Sequence, residues 1–269
     1  MKFTDILSEL ENTNPGADNN SGRRDVLKKW GTKLAAAAIP FAGITLASKK
    51  SSAKTTDNLA ETIYFALSIT KMQIALYTSA MGYASLIPAE AIDSFKEILK
   101  EKKEQEAFWS YQLTNTGNPL PAAVTYDFTA HSHISKVFSE YGVFLQVAQA
   151  LEDAGVRIYL TSVNEFWVNQ YFRSCAICMN ATNARHSAHV RLRRRNNNVD
   201  IMPWVSGTQS GSIYGEVIKA YQEEDVIVQW NNKTVGINGF DISFDVATEA
   251  FDEPMQRILA DQFMNGFIA

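Results

Sequence analysis

The sequence predicts an all-α protein built as a bundle of four long helices, with one long crossover between the second and the third. Two observations carry this prediction. From residue 57 onward, apolar residues recur every three or four positions along four long stretches, as on the buried face of an amphipathic helix. The connections between these stretches are short, long and short in turn, which is the order expected for two helical hairpins joined by a crossover.

The composition is that of a globular protein that does not bind nucleic acid. Apolar residues make up 46% and charged residues 20% of the 269 positions, well outside the range of disordered chains. The net charge of −4 is uneven, because residues 1–53 carry +3 and the remainder carries −7. An acidic body lacks the basic face that nucleic acid requires. No uninterrupted run of 18 apolar residues occurs, so no transmembrane span is predicted in the mature chain.

The N-terminal region has the composition of an export signal. Residues 11–22 are polar and rich in Asn and Gly, Arg23 and Arg24 follow, and a weakly apolar run covers residues 34–47. A basic region, an apolar run and an exit of small residues are the three parts of a signal peptide. The paired arginines resemble those of a twin-arginine signal, which predicts translocation to the periplasm. The alternative is a short buried helix that follows a basic surface loop.

The export interpretation also predicts the domain organisation. Cleavage would follow Ala47 or Ala53, because small residues precede each of these positions. The mature protein is then a single domain over residues 54–269. It consists of the bundle, residues 57–195, and a C-terminal extension, residues 196–269.

Start and stop signals set the predicted helix boundaries. Pro88 separates the first helix, residues 57–82, from the second, residues 89–113. The third covers residues 135–160 and the fourth residues 165–194, which ends in a group of arginines that complements the helix dipole.

The segments outside the bundle are predicted to be irregular. Residues 114–131 contain Gly and Pro and cannot be helical, yet they are long enough to span a bundle as its crossover. Residues 196–254 are rich in Asn and Gly, with a short strand predicted at residues 226–228. A last short helix is expected over residues 254–263.

Three segments carry a resemblance to a known family. Residues 151–156, LEDAGV, resemble the third helix of exported, desiccation-related proteins of the ferritin-like superfamily. Residues 183–186, NARH, are similar to the fourth-helix Glu-Ala-Arg-His of that family, with its Glu replaced. Residues 250–254, AFDEP, are similar to its closing segment. The resemblance implies a ferritin-like bundle.

The resemblance also implies where a metal site would lie. Members of the family hold two iron ions through four carboxylates and two imidazoles, supplied by a Glu on the first and third helices and a Glu-x-x-His on the second and fourth. Spacing of three residues places that Glu and His on one helix face. Alignment with the family puts these metal-site positions on Thr70, Gln73, Lys102, Gln105, Glu152, Asn183 and His186.

The aligned residues predict that the metal site is vestigial. Only Glu152 and His186 remain of six expected ligands, and no histidine precedes His131, so the second-helix Glu-x-x-His is absent in any register. One carboxylate cannot balance the charge of two iron ions in a low-dielectric bundle. We therefore expect no metal cofactor, with iron as the alternative. A shift of the second helix by one turn would bring other carboxylates near, namely Glu97, Glu101 and Glu104.

Lys102 suggests what replaces the metal. It aligns opposite Glu152, and a buried carboxylate is costly without a partner. We predict that the Lys102 ammonium pairs with Glu152, with Gln105, Asn183 and His186 supplying neutral hydrogen bonds. The competing account places Lys102 in solvent and lets Gln73, a tyrosine or water satisfy Glu152.

Two other groups of side chains could carry chemistry. Cys175 and Cys178 form a Cys-x-x-Cys inside the fourth helix, whereas redox motifs of this type normally open a helix. We predict two buried structural thiols, with a local disulfide or a redox pair as alternatives. Without acids or thiols nearby, the histidines are predicted to be surface imidazoles, namely His131, His133, His186 and His189.

The sequence thus favours an exported bundle without catalytic activity, with a structural or partner-binding role. Its expected partner is a ferritin-like paralogue or a second copy of the chain. The alternative is a metal-binding protein or an iron-dependent oxidase with a rearranged site around Glu152 and His186. The feature that separates the two is the inward face of the second helix: carboxylates there favour metal, and Lys102 there excludes it.

Overall fold

The computed structural model describes residues 53–229 and 231–269. The predicted twin-arginine signal, up to residue 52, lies outside these residues. Among the described helices, none combines the length and the apolar character that crossing a bilayer requires.

Four long helices form the bundle, as predicted. They are α1 (Ala53–Gly82), α2 (Ala89–Asn115), α3 (Tyr141–Glu165) and α4 (Gln170–Asn196). The connections of α1 to α2 and of α3 to α4 are short, whereas residues 116–140 connect α2 to α3. Helix α3 packs against both α1 and α4, and α2 packs against α1.

The predicted start of the third helix is wrong by six residues. Instead of helix, residues 128–139 are mostly turns, in which Ala130, His131, Ser132 and Lys136 have positive φ angles of 49° to 74°. This left-handed conformation is costly for side chains with a Cβ and interrupts a right-handed helix. The next boundary is also later than predicted, because the Asn169 side chain accepts a hydrogen bond from Phe172 N at 3.2 Å and caps α4.

The C-terminal extension is more structured than predicted. It contains α5 (Gly215–Ile218), the antiparallel pair β1 (Val228–Gln229) and β2 (Asn232–Lys233), α6 (Phe244–Glu249) and α7 (Arg257–Asn265). The predicted strand and final helix therefore exist, each displaced by two or three residues. The end of the chain pairs with the crossover, where Asp127 N donates to Phe267 O at 2.8 Å.

Helix α3 lies at the centre of the fold. Every residue from 147 to 159 is buried, because the bundle covers one side of the helix and the extension covers the other. This run includes four polar residues, Gln149, Glu152, Asp153 and Arg157. Buried polar groups need partners, so both sides of α3 carry polar networks.

Candidate functional site

The structure buries all seven predicted metal-site positions. Their exposed fractions range from 0 to 6%. Lys102 and Gln105 are both buried, on the inward face of α2. The positions lie on the helices predicted for them: Thr70 and Gln73 on α1, Lys102 and Gln105 on α2, Glu152 on α3, and Asn183 and His186 on α4.

The predicted ion pair is present. Lys102 Nζ lies 2.8 Å from Glu152 Oε2, and neither side chain is exposed. Lys102 also donates a hydrogen bond to Asn183 Oδ1 at 2.9 Å, and Gln105 Nε2 donates to the same oxygen at 3.1 Å. The account that places Lys102 in solvent is therefore wrong.

Burial and charge act in opposite directions on Lys102. Loss of hydration lowers the pKa of this ammonium, whereas the charge of Glu152 and its contact with Nζ raise it. The net effect is a lowered pKa. A low-dielectric surrounding strengthens the attraction between the two groups, so each makes the burial of the other possible.

Tyr77 completes the contacts of Glu152, and the sequence did not single it out. Its hydroxyl donates to Glu152 Oε1 at 2.9 Å, and its ring packs against Phe95 and Phe144. Burial raises the pKa of Tyr77, and the charge of Glu152 raises it further, so the hydroxyl remains a donor at neutral pH. The available signal was its position four residues after Gln73, on the same face of α1.

The two predicted metal-site positions on α1 form hydrogen bonds away from the Lys102–Glu152 pair. Gln73 Nε2 donates to Leu151 O at 2.8 Å, and Thr70 Oγ1 lies 3.0 Å from Tyr159 OH. Gly155 makes room for Gln73, because a Cβ on this glycine would lie 2.5 Å from Gln73 Nε2. Neither α1 position supplies a ligand to the centre of the bundle.

His186 connects the buried pair to the surface. Its Nε2 lies 2.7 Å from Glu101 Oε2, and its Nδ1 lies 3.9 Å from Glu152 Oε2. The Glu101 side chain is 35% exposed, and its contact with His186 lowers the pKa of its carboxyl group. Of the three glutamates that a shifted register would bring near, Glu101 is thus in contact with the site.

These residues do not fit the donor set of a di-iron centre. An ammonium has no lone pair to offer a metal, and Asn183 Oδ1 already accepts two hydrogen bonds. The buried carboxylate, Glu152, is engaged by Lys102 and Tyr77. Within the described residues, no three His, Cys, Asp or Glu side chains are grouped so that they could hold a metal ion.

The cysteine prediction is wrong. Cys178 is exposed and Cys175 is half-buried, and both are free thiols. The reason is their place in the first half of α4, where residues 170–182 include two buried side chains, Phe172 and Ala176. Burial and the neighbouring Cys178 raise the pKa of Cys175, which disfavours a reactive thiolate there.

The histidines divide into two pairs. His131 and His133 are exposed, with side-chain exposed fractions of 59% and 71%, as predicted. The surface prediction is wrong for His186, which is buried, and for His189, which is half-buried and lies 2.9 Å from Ser94 Oγ. Helix α2 covers both imidazoles on α4.

Comparison with known proteins agrees with this architecture. A family model described as a ferritin-like domain matches residues 58–195, which is 138 of the 269 residues and reaches all four bundle helices. No curated protein matches the chain. With more than half of its length matched by the family model, the chain belongs to the family of ferritin-like domain proteins.

Proposed function

We propose that this protein is an exported ferritin-like bundle that acts without a metal, as a structural or partner-binding protein, and that an ion pair takes the place of the family's metal centre. The observation that carries the proposal is the Lys102–Glu152 contact of 2.8 Å between two completely buried side chains. It lies where the resemblance to the family puts the metal.

The ion pair opposes metal binding in two ways. An incoming cation would have to displace the Lys102 ammonium from Glu152, and would then lie close to a positive charge in a low-dielectric interior. Asn183 stands where the family has a Glu, and its neutral amide cannot compensate for that charge.

Iron loading tests this part of the proposal. The purified mature chain, incubated with ferrous iron in air and desalted, should retain no stoichiometric iron and should not accelerate iron oxidation above a protein-free blank. Two irons per chain, lost in Glu152→Ala, would contradict the proposal.

A pair of charge reversals asks whether Lys102 itself excludes the metal. Lys102→Glu places a second carboxylate beside Glu152, whereas Lys103→Glu makes the same change on the exposed side of α2. Because ligands that bind the native state raise its stability, a divalent cation such as Mn²⁺ should raise the Tm of the Lys102 variant. The Lys103 variant should not respond. Equal responses would show that Lys102 does not control access.

A second function is favoured by one contact. The contact of His186 with Glu101 brings a second carboxylate to the side of the imidazole away from Glu152, and it is the observation behind a metal-binding or iron-dependent oxidase activity at a rearranged site. Without rearrangement, the described side chains form no group that could hold a metal ion. If such a rearranged site exists, the wild-type chain would bind iron, and the Glu101→Gln and Glu152→Ala variants would each fail to bind it. If the ion pair has replaced the metal, neither change has any iron binding to remove.

Export to the periplasm is the remaining part of the proposal, and Arg23 and Arg24 support it. The resemblance of residues 151–156 to exported, desiccation-related proteins points the same way. Replacing both arginines by lysine should trap the uncleaved precursor in the cytoplasm, as judged by fractionation. Undiminished export of this variant would contradict the twin-arginine route.

A further inference from the structure

A cleft of about 320 Å³ lies on the other side of α3 from the Lys102–Glu152 pair. Helices α3 and α4 and three segments of the C-terminal extension form its walls. Its polar lining comprises Asp153, Arg157, Ser187, Glu224 and Asp252, and Trp204 stands beside them. The volume is within the range of small-molecule sites.

The carboxylates of the cleft outnumber its cations. Asp153, Glu224 and Asp252 line it, against the single guanidinium of Arg157. The charge of Asp153 is balanced by Arg191, whose Nη2 lies 2.9 Å from Asp153 Oδ2. Arg157 pairs in the same way with Glu224, so the excess negative charge of the lining belongs to Asp252.

Glu224 is buried without being satisfied. It is 1% exposed and its Oε2 contacts Arg157 Nε, whereas its Oε1 has no hydrogen-bond partner among the described residues, and neither has Arg157 Nη2. Arg157 also donates to two carbonyls, Ala220 O at 2.7 Å and Glu253 O at 2.8 Å. A carboxyl group that lines a cleft with unused acceptor capacity is one that a ligand can engage.

The rest of the lining is apolar. Val156, Ala184, Ala188, Pro203 and Val205 provide a surface without hydrogen-bonding side chains. Trp204 is 46% exposed, and an indole ring attracts cations through its face. The cleft thus combines carboxylates, an aromatic ring and a short apolar wall.

We propose that this cleft binds a small organic cation, an alkylammonium whose charged head lies between Glu224 and Asp252 and whose chain lies along Val156, Ala184 and Ala188. The head supplies the hydrogen-bond donor that Glu224 Oε1 lacks. An anion would meet three carboxylates at the same place. The site does not depend on the absence of metal from the bundle, so either proposal can fail alone.

The protonation of Glu224 links binding to pH. Burial raises the pKa of Glu224 to about 9, and the charges of Asp252, Asp153 and Glu253 also raise it, while Arg157 lowers it. A bound ammonium stabilises the ionised carboxylate, so binding releases a proton near neutral pH. Affinity for the cation should therefore increase as the pH rises from about 6 to about 9, a range in which a simple alkylamine stays protonated.

Three probes of equal length test the proposal on the full chain. Ligand-observed NMR titration should show saturable binding of n-butylammonium, with n-butanol and butyrate about tenfold weaker or undetectable. Equal affinity for n-butanol and n-butylammonium would mean that the cleft recognises only the alkyl chain. Tighter binding of butyrate would make it an anion site at Arg157. No saturable binding of any probe would remove the site.

Single substitutions test whether n-butylammonium binds in the cleft. Glu224→Gln and Asp252→Asn should each weaken n-butylammonium about tenfold. Glu224→Gln should also abolish the pH dependence. The control is Asp225→Asn, an exposed carboxylate next to Glu224 that does not line the cleft, and it should bind as wild type does. Wild-type binding by both cleft variants would overturn the proposal, and Asp252→Asn keeps it testable if Glu224→Gln is unstable, because Asp252 is exposed.

Discussion

Two neighbouring carboxylates on α3 are buried on opposite sides of the helix and are satisfied to different degrees. Glu152 faces the centre of the bundle, and Asp153 faces α4 and the C-terminal extension. Both are completely or almost completely buried, and each has a cationic partner. Comparing them shows how two buried networks on one helix can differ in their hydrogen bonding.

The Asp153 network is complete. Arg191 contacts both carboxylate oxygens, Tyr221 OH donates to Oδ2 at 2.5 Å, and Ser187 Oγ donates to Oδ1. Arg191 also donates to Trp204 O at 2.8 Å, which ties the extension to α4. A fully satisfied buried network of this kind rigidifies a fold.

The Glu152 network is incomplete. Asn183 Nδ2, Gln105 Oε1 and His186 Nδ1 are buried without a hydrogen-bond partner among the described residues. Its cation is a lysine, which acts as a point charge, whereas the planar arginine of the other network binds a carboxylate through two donors. The bundle centre therefore holds an ion pair among neutral side chains whose hydrogen-bonding capacity is only partly used.

The largest expected effect comes from breaking the complete network. Arg191→Met leaves Asp153 without its cation and removes the hydrogen bonds to the extension. We expect a loss of about 5 kcal/mol in the free energy of unfolding, measured by urea denaturation. Arg195→Met, which removes an exposed arginine one turn later, should cost less than about 0.5 kcal/mol. Similar losses in both variants would show that the effect comes from the helix end and not from Asp153.

Breaking the incomplete network should cost less. Lys102→Met strands Glu152, but Tyr77 still donates to it, so we expect a loss of about 3 kcal/mol. The matched control is Lys103→Met on the exposed face of α2, which should lie within about 0.5 kcal/mol of wild type. An equally small effect of Lys102→Met would show that the pair contributes nothing to stability.

The double variant measures the coupling itself. Replacing Glu152 by Gln in the Lys102→Met background removes the stranded charge, and we expect recovery of about 2 kcal/mol. Strict additivity of the two single changes would contradict a direct interaction between these side chains.

The contrast between the two networks also explains which of their contacts could be predicted from the sequence. The Lys102–Glu152 pair was predictable because a helical register and a family alignment place two opposite charges on facing positions. Tyr77 was missed because a tyrosine in an apolar stripe has the same pattern as any core aromatic. Asp153, Arg191 and Tyr221 were missed because their contacts depend on how the extension folds back, which no local pattern records.

Helix boundaries and side-chain exposure were also harder to predict from the sequence than the presence of the helices. The start of α3 depends on left-handed residues such as Ala130 and Lys136, and no glycine marks these positions. The exposure of Cys178 depends on which part of α4 its neighbours cover, which apolar spacing alone does not determine.

The smallest expected effect is a pH dependence of stability on the side of α3 that carries Glu224. Burial raises the pKa of Glu224 to about 9 from its ordinary value of 4.5, so the folded chain holds a proton that the unfolded chain has released. The stability from this group is fully present below about pH 4.5 and is lost as the pH rises through the folded pKa. Between about pH 6 and pH 8, we expect wild type to lose about 1 kcal/mol per pH unit relative to Glu224→Gln, measured by urea denaturation. Asp225→Asn should keep the wild-type slope, because the Asp225 side chain is exposed. Equal slopes for wild type and Glu224→Gln would mean that Arg157 keeps the Glu224 carboxylate ionised in the folded chain.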